Sequence, residues 1–561
     1  MQENITLQSM NVTNSLPSSI STVVADMTTW GIVKALFWAY LLQCIFSFVL
    51  SYIKVRHIPG PVPFLPPNIL QGTNVPLSQF RKIWKEHGRV FCYWPGWIFV
   101  NPLIFVADAK ALRQVLTQPD TFTKGPDYSV RFKLAIGDGM VTSVGHVHKR
   151  QRAVVARFFV KKRVDQLIPY MIERNNALFD QMGLTTKSAA GEITYKGNER
   201  FDMLYFAQAM TFRVINNLVW GKTHPECDLS SDLEYEKDSM EDVSYGQRVV
   251  GLRMLFKLPI LSFDPDVIFV KKKLKKYHIR IDTIIEDRNV RFRSKDETKD
   301  QEPDDVLKAL LDSGADRQEI YDQIQTIVFA GFETTATFIS FAAFRIAKFP
   351  EVQERIRMEI KEVMGDRDEI TADDVPKLKY LACVMKESMR YSPIIPVLTR
   401  VTTKNAKVTL TDGSSVIIPK GVDLLLPFHL LSYNDEIWDN PMGFDPDRFE
   451  GVADLQSPRH GFFPFSYGIR SCIGNLLAFT EGLIAMTNML RNYRLERVEG
   501  FKPMTTLGIS IVSKNGMYIN MILDPIKCNE TAIKDPFYCS ETSNTEAEKS
   551  HKLSDKKVMV Q

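Results

Sequence analysis

The 561-residue chain has little of what marks the extreme protein classes. Its charge is nearly balanced, 70 Lys and Arg against 66 Asp and Glu, so the basic excess that counterion release requires is missing and a nucleic-acid partner is disfavoured. Glycine and proline number 29 each, too few for a collagen-like or low-complexity chain. The seven cysteines form no C-x-x-C pair, and their odd number fits reduced thiols in a cytosolic compartment better than a disulfide framework. No internal repeat is evident. No Gly-rich dinucleotide turn follows a strand-like run, so the chain shows no nicotinamide or flavin module of its own. What it does have is 45% hydrophobic residues, ample for a large core, in a length that admits three or four domains or one large enzyme fold.

Hydrophobicity is concentrated first in residues 35–53, an uncharged run long enough to cross most of a bilayer core of ~30 Å. A membrane anchor over 31–53 is the reading adopted. A cleaved signal peptide would want a short basic start, whereas the polar residues in front carry only Glu3 and Asp26 before Lys34. Lys54, Arg56, Arg81, Lys82 and Lys85 follow the run, so the positive-inside rule places the body in the cytosol and residues 1–30 in the lumen. Two glycosylation triplets, at Asn4 and Asn11, would then be accessible there. Residues 54–64 hold Pro59, Pro61 and Pro63, which block helix continuation and predict a stiff linker. The body spans 65–524, and the polar stretch 525–561 is expected to be a disordered tail. A charged stretch, 293–302, reads as an exposed loop.

Within the body the pattern is mainly helical with small β-sheets, an α+β class. Helices are predicted over 321–348, 350–363 and 380–391, and short strands over 99–106, 406–411, 415–418 and 509–512. Between Ile327 and Ala347 the first of these helices is nearly all apolar, yet Glu333 sits at its middle beside Thr334, Thr335 and Thr337. A buried carboxylate needs a reason, and those polar residues argue against a second membrane span. Residues 465–475 form a Gly-containing loop with one cysteine, followed at once by a helical pattern from Leu476 to Leu490. A thiolate at a helix N-terminus is stabilised by unpaired amides, which suits Cys472 to be a ligand or a nucleophile. A buried structural cysteine is the alternative that this local pattern leaves open.

The spacing Phe465-x-x-Gly468-x-Arg470-x-Cys472-x-Gly474 resembles the haem-ligand loop of the cytochromes P-450, the haem-thiolate monooxygenases. Glu387-Ser388-Met389-Arg390 is similar to the family's E-x-x-R pair, Asp445-Pro446-Asp447-Arg448-Phe449 to the loop whose arginine joins it, and Ala330-Gly331-Phe332-Glu333-Thr334-Thr335 to the oxygen-activation segment. The likeness covers roughly 59–524. It implies the cytochrome P-450 fold and haem b (iron protoporphyrin IX), with Cys472 as axial ligand of the iron. Gly331 would let the long helix approach the haem, and Glu333 and Thr334 would deliver protons during oxygen activation. Arg400, Arg152 and Arg470 would meet the haem propionates. His148 stands where the family usually has Trp, so an imidazole takes the place of the indole. Glu387, Arg390 and Arg448 would form a buried structural network rather than a catalytic one.

The same likeness implies electrons from an NADPH-cytochrome P-450 reductase, with cytochrome b5 as a helper, and a single-pass position in the endoplasmic reticulum membrane. Lys149, Arg150, Lys161, Lys162 and Arg163 offer a basic docking face for such a donor, and Lys271–Lys276 with the apolar stretch 249–261 a surface that rests on lipid. Phe329, Ala330, Thr334, Val397, Leu398 and residues 129–144 would line a pocket for a lipophilic substrate, with fatty acids, sterols and xenobiotics all open. Two other readings use the same haem: a reductase-independent peroxide isomerase or dehydratase, and a non-catalytic haem-binding or sterol-carrying membrane protein.

Overall fold

The computed structural model describes residues 29–61, 77–94, 101–187, 193–221, 233–255, 260–293, 302–452, 461–507 and 509–526. The glycosylation triplets at Asn4 and Asn11, most of the charged stretch 293–302 and nearly all of the tail 525–561 lie outside these residues.

Nine helices carry the argument: α1 (Thr29–Val55), α2 (Gly145–Ala156), α3 (Met203–Trp220), α4 (Leu233–Leu255), α5 (Pro265–Arg288), α6 (Arg317–Ile346), α7 (Pro350–Met364), α8 (Lys379–Tyr391) and α9 (Asn475–Asn492). The strands used below are β1 (Val90–Tyr93), β2 (Leu103–Val106), β3 (Phe122–Thr123), β4 (Leu398–Thr402), β5 (Ala406–Thr409), β6 (Ser415–Ile418), β7 (Asp423–Leu426), β8 (Thr505–Leu507) and β9 (Ile511–Ser513). The expected α+β class is what the chain adopts. One five-stranded sheet runs β1-β2-β7-β4-β3, with β2 and β7 parallel and the other neighbours antiparallel. β5 pairs with β6 and β8 with β9 as separate antiparallel hairpins.

Two helices among the described residues are long and apolar enough to cross a membrane, α1 and α6. Burial separates them. The apolar window of α6 is 83% buried inside the protein and that of α1 only 6%, so α6 is a core helix. It starts four residues earlier than the hydrophobic pattern predicts, because the Asp316 side chain accepts the Glu319 N–H at 2.8 Å and caps the first turn. It packs along α3, to which it is pinned by polar ties: Thr211 Oγ1 donates to the Phe332 carbonyl at 3.0 Å and Ser340 Oγ to the Met203 carbonyl at 3.3 Å.

The lower turns of α1 are not free of the body. Phe48 packs against Trp94 in a tilted arrangement with ring centroids 4.8 Å apart, and Val55 and Ile58 join the apolar cluster between the sheet and the β5–β6 hairpin. His57 Nε2 bonds the Ile417 carbonyl at 2.8 Å, and the Cys92 N–H donates to the Pro59 carbonyl at 2.7 Å. The described part of the predicted linker is thus laid along β1.

α8 carries a buried ion pair. Glu387 and Arg390 are both fully enclosed, with Nε–Oε2 at 2.6 Å and Nη2–Oε1 at 2.7 Å. Arg390 also donates to the carbonyls of Ser432, Pro441 and Gly443, and the Asp445 N–H donates to Glu387 at 2.9 Å. Arg448 completes the group, its Nε 3.6 Å from Glu387 Oε1 and its Nη2 donating to the Asn440 carbonyl. Every valence of the Arg390 fork is thereby spent on holding 432–443 and 445–448 against α8. Glu387→Ala would leave the Arg390 charge buried and unpaired, and is expected to lower stability by about 3–5 kcal/mol, read as a fall in the thermal or denaturant midpoint of the purified protein.

Candidate functional site

The loop ahead of α9 is built around its cysteine. The Cys472 N–H donates to the Phe465 carbonyl at 2.9 Å and closes the loop. Gly468 has φ +76°, and a Cβ there would lie 2.9 Å from the Leu116 carbonyl oxygen, so only glycine fits. Gly474 caps α9, and a Cβ on it would sit 3.9 Å from Cys472 Sγ. Cys472 is exposed by the large cavity that it helps to line. Burial raises the thiol pKa, and the Gly474 N–H and the Arg152 guanidinium work against it.

That cavity has a volume of about 370 Å³. Its walls are mostly apolar. Phe329, Ala330 and Thr334 come from α6, Val397 and Leu398 from the start of β4, and Phe132, Ile136, Met140 and Val141 from the segment before α2. This last segment is strapped to α6: Thr326 Oγ1 donates to the Ile136 carbonyl at 3.2 Å, Asp322 accepts the Asp138 N–H at 2.8 Å, Gln323 accepts the Met140 N–H at 3.2 Å, and Gln325 donates to the Ala135 carbonyl.

Four cations meet at one part of this wall. Arg152 comes from α2, Arg400 from β4, Arg470 from the cysteine loop, and Lys124 from the end of β3. Arg152 donates to the Ser471 carbonyl at 2.9 Å, Arg470 to the Ser143 carbonyl at 2.9 Å, Arg400 to the Thr399 carbonyl at 2.7 Å, and Lys124 to the Val141 carbonyl. Among the described lining residues there is no Asp or Glu. Burial, followed by the neighbouring cations, lowers the Lys124 pKa far below its usual value and brings Arg470 to about 10. His148, on α2 beside them, is pushed down to about 3 by burial and by Arg470, Lys124 and Arg152, so its imidazole is neutral. A concentration of positive charge facing a cavity with no acid in it suits a ligand that brings its own anionic groups. The sequence motifs point to Arg152, Arg400, Arg470 and His148 but not to Lys124, whose one local signal is a lone lysine ahead of Gly125-Pro126.

On α6 the predicted residues divide. Thr334 lines the cavity, its hydroxyl donating to the Ala330 carbonyl at 2.6 Å. Glu333 does not line it. The carboxyl is buried behind the wall, where the Ser510 hydroxyl reaches Oε2 at 3.5 Å. Burial raises its pKa to about 7, against Ser244, Arg248 and Ser510, which favour the ionised form. Gly331 lines the cavity as well, and a Cβ there would lie 2.7 Å from Ile215 Cδ1, so the missing side chain also serves the close approach of α6 to α3. On the basic face, Arg150 is paired with Glu319 at 2.7 Å, Lys161 with Asp165 at 2.6 Å, and Arg163 with Asp304.

A family model described as Cytochrome P450 matches residues 57–519. The chain is 26% identical to "Cytochrome P450 4F1" of Rattus norvegicus over 481 residues, 82% of this chain and 88% of that protein. It is likewise 26% identical to "Leukotriene-B4 omega-hydroxylase 3" of Mus musculus, over 79% of this chain and 86% of that one. To "Cyclooctatin synthase" of Streptomyces melanosporofaciens it is 26% identical over 72% of this chain and 82% of that one.

Glu333 sets a measurable pH dependence. Between its ordinary value of 4.5 and about 7 the folded protein keeps a proton that the unfolded chain releases, so this group makes stability fall as pH rises through that window. Glu333→Gln removes the effect. The variant is expected to match the wild type below about pH 4 and to exceed it by up to ~3 kcal/mol above pH 7, checked by paired denaturation curves across pH.

Proposed function

The chain belongs to the cytochrome P450 family of oxygen-incorporating oxidoreductases, and from that premise we propose that it oxidises a lipophilic substrate in the cavity above Cys472 with electrons from an NADPH-dependent reductase. The observation that carries this reading is the cavity itself: one thiol at a helix N-terminus, four cations without an acid, and apolar walls. That donor set fits a haem, whose thiolate-ligated iron would supply the activation and insertion of oxygen.

The chain's own residues do the rest. Cys472 would hold the iron through its sulfur. Arg152, Arg400, Arg470 and Lys124 would hold the carboxylates of the cofactor, and the neutral His148 would donate a hydrogen bond in the place of the family's indole. The apolar walls exclude water and leave the substrate to be held by its shape and surface. Thr334 presents a hydroxyl at the cavity. Glu333, titrating near neutrality, holds a proton in reserve behind the same helix, where rotation of its side chain or a bound water connects it to that hydroxyl. Glu387, Arg390 and Arg448 brace the segment that leads to the cysteine loop.

Membrane attachment agrees with an apolar substrate. α1 is the proposed single-pass anchor in the endoplasmic reticulum, with the body in the cytosol. Phe263, Ile268 and Phe269 are exposed beside Lys271–Lys276 at the start of α5 and form a surface suited to lipid. The relative named as a leukotriene-B4 omega-hydroxylase acts on a lipid by its name, which supports the same substrate class.

Two experiments test the reading. Cys472→Ala should lose the Soret signature of thiolate ligation in the reduced CO complex; a variant that keeps it would overturn the assignment. With a reductase added, the wild type should consume NADPH in step with product, whereas Thr334→Ala should consume it with most of the flux released as peroxide. Unchanged coupling in that variant would remove Thr334 from proton delivery.

A further inference from the structure

The face that α4 turns to the cavity carries one strongly polar side chain. Gln247, Gly251 and Met254 line the wall at i, i+4 and i+7, the spacing of a single helix face. Gly251 contributes no side chain and Met254 an apolar one, so Gln247 alone gives this strip hydrogen-bonding capacity. The residue is 2% exposed, so its carboxamide cannot turn to bulk water.

A carboxamide has two N–H donors and two acceptor positions. Nε2 of Gln247 donates to the Phe329 carbonyl on α6 at 3.3 Å, and Oε1 accepts from the Ser510 hydroxyl in the β8–β9 turn at 3.4 Å. Those bonds tie three elements together and occupy half of the amide's capacity. Each polar atom thus has one partner, and one donor and one acceptor position remain on a side chain that lines the cavity.

The acceptor side is looser still. Ser510 Oγ lies 3.4 Å from Gln247 Oε1 and 3.5 Å from Glu333 Oε2, and a hydroxyl has a single proton to donate. Whenever Ser510 turns to Glu333, the Gln247 carbonyl is left wholly to the cavity. Ser510 is thus a positioning residue that decides how much of the amide a ligand can use.

We infer that Gln247 is a specificity-determining residue that selects lipophiles bearing a hydroxyl, which can accept from the free N–H and donate to the free carbonyl position of the amide. The inference rests on the monooxygenase reading for its substrate, but not for its test, which needs only loaded haem and a binding site.

The test uses the full-length ferric holoenzyme and Soret titrations with decanol and with decane, each presented in the same detergent. The wild type should favour decanol. Gln247→Leu should cut that preference about tenfold by weakening decanol while leaving decane no weaker. Ser510→Ala, which frees the amide carbonyl, should raise the preference instead. A wild type with no preference for decanol overturns the inference, as does an unchanged ratio in Gln247→Leu. If Gln247→Leu fails to load haem, the Ser510→Ala ratio decides, and no increase there counts as failure. The spectrum of the reduced CO complex, recorded on the same wild-type sample, separates this outcome from failure of the haem-thiolate reading.

Discussion

Like charges gathered inside a protein repel one another, and this fold gathers four of them. Lys124, Arg152, Arg400 and Arg470 come from four separate segments of the chain and converge on a wall without a carboxylate. Such a cluster is tolerable only where each cation is held by fixed dipoles, and each of the four donates to a backbone carbonyl. Two of those carbonyls, of Val141 and Ser143, belong to the segment that α6 straps down with Gln323 and Thr326. The charge cluster, the cavity wall and the central helix are therefore one mechanical unit.

The remaining architecture keeps that unit in register. α6 lies against α3 closely enough that a Cβ on Gly331 would come within 2.7 Å of Ile215 Cδ1, and the Thr211 and Ser340 hydroxyls fix the two helices along their length. On the other side the Glu387–Arg390 pair gathers carbonyls from the segment before Asp445. Neither device touches the cavity's polar end. Both limit how far its parts can drift, which matters because a thiol and four cations can address one ligand only if their separations are fixed.

What could be read from the sequence was whatever is written locally. The loop from Phe465 to Gly474 is legible because its tight turn, its helix N-terminus and its sulfur all lie within ten residues. α6 is legible from its apolar run, although its first turn is set by the Asp316 cap rather than by hydrophobicity. Lys124 was not legible, because an isolated lysine acquires meaning only when folding brings three arginines to it. Gly331 stands out in the sequence beside Glu333, but its contact with Ile215 does not, because Ile215 lies 116 positions earlier in the chain and nothing local announces it. Gln247 and Ser510 are ordinary residues in ordinary stretches, joined only through tertiary packing.

α1 meets the body through Phe48, Val55 and Ile58, which are packed into the sheet's own apolar cluster, while Pro59 bonds along β1. A helix held in this way acts as a lever arm rather than a leash. In the proposed anchored arrangement, a change of its tilt such as a thicker or thinner bilayer imposes would bear on the five-stranded sheet. The sheet carries Arg400 on one strand and the Val397–Leu398 wall at the end of the same strand. Lipid thickness would then act on the orientation in which the cavity meets the membrane.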